Sequence, residues 1–459
     1  MNEWKKVKIG DFLKQYRNTI YVDDSQQYKQ VTISSKSGVK YRCSKIGKEI
    51  GRKRQFLIDL KTYPNTVIFT RQGLHEGAIG LAPQEVDGCI VTENMPMFSV
   101  NETIVDTFYL KYFLLSPAFS SLISTLTPTG SAQKSIHERD LLPLEISLPD
   151  LQTQQKIVCE LAKKIEKVEL VKSEIESQKN YAKQLRQNIL QEAIEGKLTE
   201  EWRKENPVIK GNPDFDAEAL FEKIQEEKCH TDSELPLETS LRIRNSKKKV
   251  FEPIAENELP FEIPKGWKWV RLGEVSESCL GKMLDSTKNQ GTKRKYLRNI
   301  NVRWFSFDLS DLLEMKIKDI ELARCSAQKG DLLICEGGYP GRSAIWNENY
   351  EICFQKAIHR VRFFYMPEMS RIFNLYLFLL SENKQIEMYL TGEAIRHLTG
   401  VKLKQILIPL PPLAEQKEIV SRVETLLADV TKLEEQIAER ETLTKQMLQS
   451  IMKDAFREE

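Results

Sequence analysis

Two eleven-residue stretches of this chain say nearly the same thing. LPDLQTQQKIV, from Leu148 to Val158, and LPPLAEQKEIV, from Leu410 to Val420, are identical at six positions and lie 262 residues apart. At the same offset Thr129-Gly130-Ser131-Ala132-Gln133-Lys134 falls on Thr391-Gly392-Glu393-Ala394-Ile395-Arg396. Further on, Gln184-Leu185-Arg186-Gln187-Asn188-Ile189 falls on Gln446-Met447-Leu448-Gln449-Ser450-Ile451. Near the beginning, Trp4-Lys5-Lys6-Val7 is similar to Trp267-Lys268-Trp269-Val270 at an offset of 263. A repeat constrains a fold more than any local propensity does, because both copies must satisfy one packing scheme. The intervening segments match poorly, so the chain reads as two halves with common ends and divergent middles.

The common ends predict long helices. No proline follows Pro149 until Pro207, and none follows Pro412. Both stretches are rich in Lys, Glu, Gln and Leu, which favour helix. In the second, Ile419, Val423, Leu426, Val430, Leu433 and Ile437 step by four and three, a heptad seam. In the first, Leu161, Ile165, Val168, Ile175, Ala182, Leu185 and Ile189 trace a weaker seam. Roughly 40 residues per helix corresponds to about 60 Å. If the halves are related by a pseudo-two-fold axis crossing the pair, the helices run antiparallel and the domains before them sit at opposite ends of a rod. Two separate core helices, or a coiled coil with another chain, are the alternatives.

The expected organisation is a domain over 1–148, a spacer helix over 149–200, a linker over 201–262, a second domain over 263–409 and a second spacer helix over 410–459. The runs Thr66–Phe69 and Asp331–Ile334 predict strands, and each leads into a glycine-rich turn, RQGLHEG and EGGYPGR. Helical stretches are predicted at 106–116 and 371–391, so both domains are mixed α/β, of the α+β kind. The linker holds five prolines, a short charged helix near 216–228 and Lys247-Lys248-Lys249; it reads as a surface connection.

Composition removes several classes. Net charge is only +2, so no global basic field announces a polyanion, and any such case rests on local patches. No run of eighteen apolar residues predicts a membrane span, and MNEWKKVKIGDF lacks the apolar core of a secretory signal. The eight cysteines form no C-x-x-C pair, which argues for free thiols in a reducing cytoplasm and against a zinc knuckle. No P-loop and no H-E-x-x-H occurs. Asn212-Pro213-Asp214-Phe215 is a poor match to the N-P-P-[FY] of adenine methyltransferases, and Glu314-Met315-Lys316 has no companion acid suited to a nuclease metal. Gly337-Gly338-Tyr339-Pro340-Gly341 reads as a turn.

What remains is the interleaving of basic and aromatic residues in the divergent middles. IGRKRQF carries Arg52, Lys53 and Arg54; TKRKYLRNINVRW carries Lys293, Arg294, Lys295, Arg298 and Arg303. Arg71 and Arg342 stand in the two glycine-rich turns, and Gln133, Lys134 and Arg396 in the repeated loops before the long helices. Arg and Lys reach phosphates, and Arg and Gln also pair with base edges in the major groove. These residues are the candidate DNA contacts. A solvated charged surface is the alternative.

The paired L-P-x-L-x-x-Q-x-x-I-V helix starts, the T-G-x-A-x-[KR] loops, ILQEAIEGKLTEEWRKENP and ELPFEIPKGWKWVRLGEV together resemble the specificity subunits of Type I restriction-modification enzymes, over nearly the whole chain. The resemblance implies two target-recognition domains, each reading half of a bipartite asymmetric site in double-stranded DNA, and antiparallel spacer helices that dock two methyltransferase subunits. It also implies restriction/translocase partners and no catalytic residue, metal or cofactor in this chain; S-adenosylmethionine, ATP and Mg would belong to the partners. The chain departs from the pattern in two places: no G-K-L-T-E-x-W-R follows the second helix, and no P-x-G-W precedes the first domain. A coiled-coil scaffold that binds no DNA, and a self-sufficient methyltransferase-nuclease, are the competing classes. A salt-dependent shift of duplex DNA would separate the family reading from the first, and the missing motifs oppose the second.

Overall fold

Asp150 begins the first long helix as its side chain accepts from the Thr153 amide at 2.8 Å, and the helix runs Leu151–Ile194. In the second, which runs Leu413–Ala455, the Leu413 and Ala414 amides donate to the carbonyls of Pro213 and Asp214. The N-P-D-F stretch therefore caps a helix whose first amides have no partner within it. The computed structural model describes residues 4–35, 38–127, 135–233, 251–285, 287 and 289–457. They fall into two units, 1–178 with 436–459, and 179–435. The division cuts both long helices, because the two ends of each helix enter different cores. Leu161, Met452 and Phe456 belong to one core, and Leu190, Ile194, Ile419 and Val423 to another.

The first unit contains β1 (Lys5–Lys8), β2 (Leu13–Tyr16), β3 (Thr19–Tyr21), β4 (Gln27–Ser34), β5 (Gly38–Ile46), β6 (Arg54–Leu57), β7 (Thr66–Phe69), β8 (Ile79–Leu81), β9 (Ile90–Val91), β10 (Met97–Val100) and β11 (Glu145–Leu148). β1 and β11 form an antiparallel ribbon with Lys5 opposite Leu148. A four-stranded sheet follows the order β2-β10-β7-β8, and a five-stranded sheet the order β3-β6-β9-β4-β5. Every residue of β7 is buried, as an inner strand covered on both faces requires. Two short helices, Thr107–Leu114 and Pro117–Ser124, are separated where Pro117 cannot continue the first, and Ser116 caps the second.

The second unit contains β12 (Lys268–Arg271), β13 (Ser276–Leu280), β14 (Thr292–Leu297), β15 (Val302–Arg303), β16 (Ser306–Phe307), β17 (Leu313–Ile317), β18 (Ser326–Ala327), β19 (Leu332–Cys335), β20 (Ser343–Ile345), β21 (Ile352–Phe354), β22 (Ile358–Phe363) and β23 (Leu407–Leu410). The repeat reappears in its topology. β12 and β23 form the ribbon, with Lys268 opposite Leu410. The four-stranded sheet is β13-β22-β19-β20 and the other is β17-β14-β21-β18. The parallel pair β14–β21 corresponds to β4–β9, so the poorly matching middles keep one strand order. The first unit adds β3 at an edge; the second adds the β15–β16 hairpin. The predicted helix at 371–391 is Pro367–Glu382, continuous where the first unit has a break, and it stops before Lys384, which adopts a left-handed backbone.

Two expectations are corrected. The charged stretch 216–228 is not surface linker: it lies in the helix Ala217–Ser233, whose Ala217, Leu220 and Ile224 are fully buried in the second unit's core. Leu185 and Leu433, expected in the seam, are exposed. Arg186 and Glu434 meet instead, with Nη2 to Oε2 at 2.8 Å, and Val430 and Ile437 continue the apolar seam. A partly exposed pair of this kind contributes little to stability. No described helix is long and apolar enough to cross a membrane.

The repeated glutamine of L-P-x-L-x-x-Q has one structural meaning in both halves. Gln154 Nε2 donates to the Pro149 carbonyl and Gln416 Nε2 to that of Pro411, each at 2.8 Å, and both side chains are fully buried. Gln154 also donates to the Ile104 carbonyl and accepts from the Asp106 amide. Gln154→Leu is therefore expected to destabilise the chain by about 1–3 kcal/mol in denaturant unfolding, and Gln416→Leu by less, because it strands fewer backbone groups.

Candidate nucleic-acid interface

In each unit the glycine-rich turn follows an inner strand of the four-stranded sheet, β7 or β19. One backbone bond ties each turn to the segment that leads into a long helix. The Ile136 amide donates to the Arg71 carbonyl at 2.9 Å, and the Leu398 amide to the Glu336 carbonyl at 2.7 Å. Among the described residues, the turn and the segment leading to the long helix thus lie side by side in both units. Sheet and helix supply the rigid base, and the loops are free to vary.

In the second unit this surface is tightly built. Loop 391–397 is closed by reciprocal amide–carbonyl bonds between Thr391 and His397. Gly392 has φ +95°, and a Cβ there would lie 2.3 Å from the Ile395 carbonyl, which explains the glycine in T-G-x-A. The loop holds Ile395 and Arg396 outward, both exposed, and Arg396 makes no ion pair among the described residues. The His397 ring packs against Gly337, where any side chain would collide with it. His359, buried beneath, donates from Nε2 to the Leu398 carbonyl; burial holds its pKa below the usual histidine range, so it stays neutral. Asn299 Nδ2 donates to the Gly337 carbonyl at 2.6 Å and Arg342 Nη2 to the Asn299 carbonyl at 2.8 Å, so the β14–β15 connection joins the same surface. Tyr339 is exposed and stacks on the Arg342 guanidinium at 4.1 Å.

Of the candidate contacts, Arg342 stands on the turn and Arg396 on the loop of this surface, and Arg298 precedes the bridging Asn299 in sequence. Arg298 reaches the carboxylate and carbonyl of Asp311, and Arg303 lies 3.7 Å from Asp308. Lys293, Arg294 and Lys295 lie on β14 and line a hollow of about 460 Å³ with Tyr350 and Glu351, and Arg294 pairs with Asp319. Exposed pairs like these contribute little to stability, and a phosphate can take the place of the carboxylate.

In the first unit Arg52, Lys53 and Arg54 are exposed on and beside β6. Lys53 binds Asp24 and the Gly47 carbonyl, and the Arg54 guanidinium lies over the Phe56 ring. Arg71 is neutralised by a bidentate pair with Glu138, at 3.0 and 2.6 Å. Gln133 and Lys134 lie outside the described residues. Asn299, Tyr339, His397 and Glu138 were not singled out from the sequence. Tyr339 at least stands in a flagged turn, whereas nothing in the sequence marks Asn299 as the bridge.

Residues 1–180 and 264–440 match the sequence profile of the Type I restriction modification DNA specificity domain. The chain belongs to this family. It is 24% identical to the EcoBI specificity subunit of Escherichia coli over 352 residues, 75% of this chain and 64% of that one. It is also 24% identical to the EcoKI specificity subunit of Escherichia coli (strain K12) over 366 residues, 78% of this chain and 66% of that one. The match therefore spans just under two thirds of those relatives. Among solved structures, a chain from a study of assembly and conformational transition in the type I R-M system aligns over 100% of this chain and 98% of its own, with TM-score 0.65 and 19% identity. The HsdS subunit from Thermoanaerobacter tengcongensis aligns over 100% and 97%, with TM-score 0.50 and 20% identity. These two likenesses establish the fold.

The Arg71–Glu138 pair gives this surface a pH dependence. Burial opposes ionisation of Glu138, but hydrogen bonds and charge from Arg71, with help from Gln15, prevail and hold its carboxyl below the usual glutamate value of 4.5. A depressed carboxyl stabilises the fold fully above its unfolded pKa, and that contribution is lost as pH falls through the folded value. Melting temperature measured below about pH 5 should therefore fall less steeply for Glu138→Gln than for the wild type.

Proposed function

We propose that this chain is the non-catalytic DNA-specificity subunit of a Type I restriction-modification complex. It reads a bipartite, asymmetric duplex site, one half with each unit, and docks two methyltransferase subunits, with restriction/translocase subunits completing the assembly. S-adenosylmethionine, ATP and Mg are used by those partners, and the setting is the cytoplasm. The observation that carries this reading is sameness of frame beside difference of loops. Ribbon, sheet order, buried glutamine and turn-to-loop bond are common to both units, while the exposed side chains they hold are unlike. Common frames suit two identical partners, and unlike loops suit two different half-sites.

The finer architecture is a pseudo-two-fold repeat with an antiparallel coiled-coil spacer. Supporting it, Arg440 Nη1 donates to Gln178 Oε1 at 2.9 Å, and these two residues are 262 positions apart, the offset of the repeat. In the second unit Arg186 meets Glu434 while Arg422 donates to the Leu198 carbonyl, so one helix is traversed downward as the other is traversed upward. Grooves beside the N-terminal part of each long helix suit partner docking. One is lined by Leu81, Phe108, Lys111 and Leu151, the other by Ile345, Arg371, Leu375 and Val420.

Sequencing methylated sites in the host, with and without this gene, tests the reading: one bipartite motif should disappear. Replacing residues 1–147 by another family member's first domain should change one half of that motif only. An unaltered methylome would overturn the function, and a change in both halves would overturn the division of labour.

The spacing between half-sites is set by protein geometry in paired readers. Seven residues inserted between Ile175 and Leu185 keep the heptad phase and lengthen that helix by about 10 Å. The same sequencing should find the non-specific gap longer by at most about three base pairs, with both half-sites unchanged. An intact variant methylating only the original spacing would remove the helices from the role of ruler.

A further inference from the structure

We propose that Arg342 is a phosphate clamp for the DNA strand passing the second unit: a buried cation whose missing counter-charge is supplied by the duplex. The proposal rests on the DNA-recognition reading above and adds to it a residue and a role.

Three arginines are buried among the described residues: Arg271, Arg342 and Arg360, with 7%, 9% and 2% of their surface exposed. Two of them have carboxylates. Arg271 Nη2 is 2.9 Å from Glu258 Oε2, and Arg360 Nη2 is 3.5 Å from Glu277 Oε1, with Arg360 Nη1 on the carbonyls of Ala323 and Ser326. Arg342 has no carboxylate at ion-pair distance among the described residues. Its Nη2 donates to the Asn299 carbonyl, and its Nε is buried with no acceptor. The neighbouring Cys335 thiol, pushed up to about 11 by burial, is neutral and supplies no charge. The Asn299 carbonyl and the face of Tyr339, by its ring quadrupole, offset the cation without cancelling its charge.

An unpaired buried charge is costly, and folded proteins hold such strain where it serves a ligand. The ligand must be an anion that comes to the guanidinium, because a side chain nine-tenths buried cannot extend down a groove to a base edge. A phosphate oxygen projects from the duplex and can reach it. The surroundings agree. Exposed Arg396 stands on the loop tied to this turn through Leu398 and Glu336, and exposed Tyr339 forms the rim. Asn299, whose Oδ1 is also buried without a donor, braces the floor. The first unit lacks the device: Ala78, just before β8, occupies the place that Arg342 occupies before β20.

The test is Arg342→Met in the full chain with its methyltransferase partner, on a duplex carrying the site found by methylation sequencing. Affinity should fall roughly ten- to hundredfold. The loss should be alike across sequence variants of the second half-site, and the slope of log affinity against log salt should shrink by about one. Melting temperature should hold or rise, because a neutral side chain of similar length replaces an uncompensated charge, whereas Arg360→Met should lower it. Wild-type affinity in Arg342→Met, a loss confined to one base pair, or a melting temperature lowered as in Arg360→Met would each overturn the clamp. The last two would identify a base reader and a structural prop respectively. Failure of the wild-type complex to bind any duplex would instead overturn the recognition reading itself.

Discussion

The two-stranded ribbon governs how each unit is built. By pairing Lys5 with Leu148, and Lys268 with Leu410, it brings the segment that opens a unit against the segment that leaves it for a long helix. One further backbone bond extends each ribbon, from the Ile9 amide to the Leu144 carbonyl and from Leu272 to Ile406. Everything between is then an excursion between two fixed points. Such an excursion can exchange loops and add a strand, as β3 is added in the first unit, without moving the helix that follows. Divergence in the middle and constancy at the ends are two results of the same constraint.

That constraint explains what could be read in advance. The ends are legible because ribbon and buried glutamine demand specific residue types at fixed spacing, and those demands recur 262 residues later. The common sheet order of the middles was not legible. A strand asks only for alternating or continuous apolar residues, and many sequences meet that demand. The helix seams were legible as heptads, yet Leu185 and Leu433 were placed wrongly. Counting apolar residues cannot foresee that an Arg186–Glu434 pair will take the seam. Ala217, Leu220 and Ile224 were hidden by the charged residues around them, although their spacing is that of one buried helical face.

Electrostatics were the least legible part. Net charge is nearly balanced, and basic runs such as TKRKYLRNINVRW announce only that cations are present. Whether each cation is free depends on partners distant in sequence. Arg71 finds Glu138, which is 67 residues away, Arg294 finds Asp319 and Arg298 finds Asp311. A cation already matched to a carboxylate must exchange that partner for a phosphate and gains little from doing so. One that is unmatched gains the whole interaction. The basic residues are thus unequal in what a duplex would offer them, and the inequality appears only once the chain is folded.

The two copies also differ where the chain passes from one to the next. Glu415, in the first turn of the second long helix, is almost fully buried and accepts from Thr199 Oγ1, Arg203 Nη1 and Trp267 Nε1 at 2.6, 2.5 and 2.7 Å. Those donors come from G-K-L-T-E-E-W-R and from P-K-G-W-K-W, two stretches marked in the sequence by family resemblance alone. One carboxylate gives both a physical reason, since each supplies a donor that the buried charge requires. The equivalent position in the other copy, 262 residues earlier, is Thr153, which carries no charge to satisfy. The duplicated design has therefore been modified at its covalent joint. The crossing segment is locked into the second unit by a charge that the first unit has no use for, and near-identical helix starts in the two halves sit in different electrostatic surroundings.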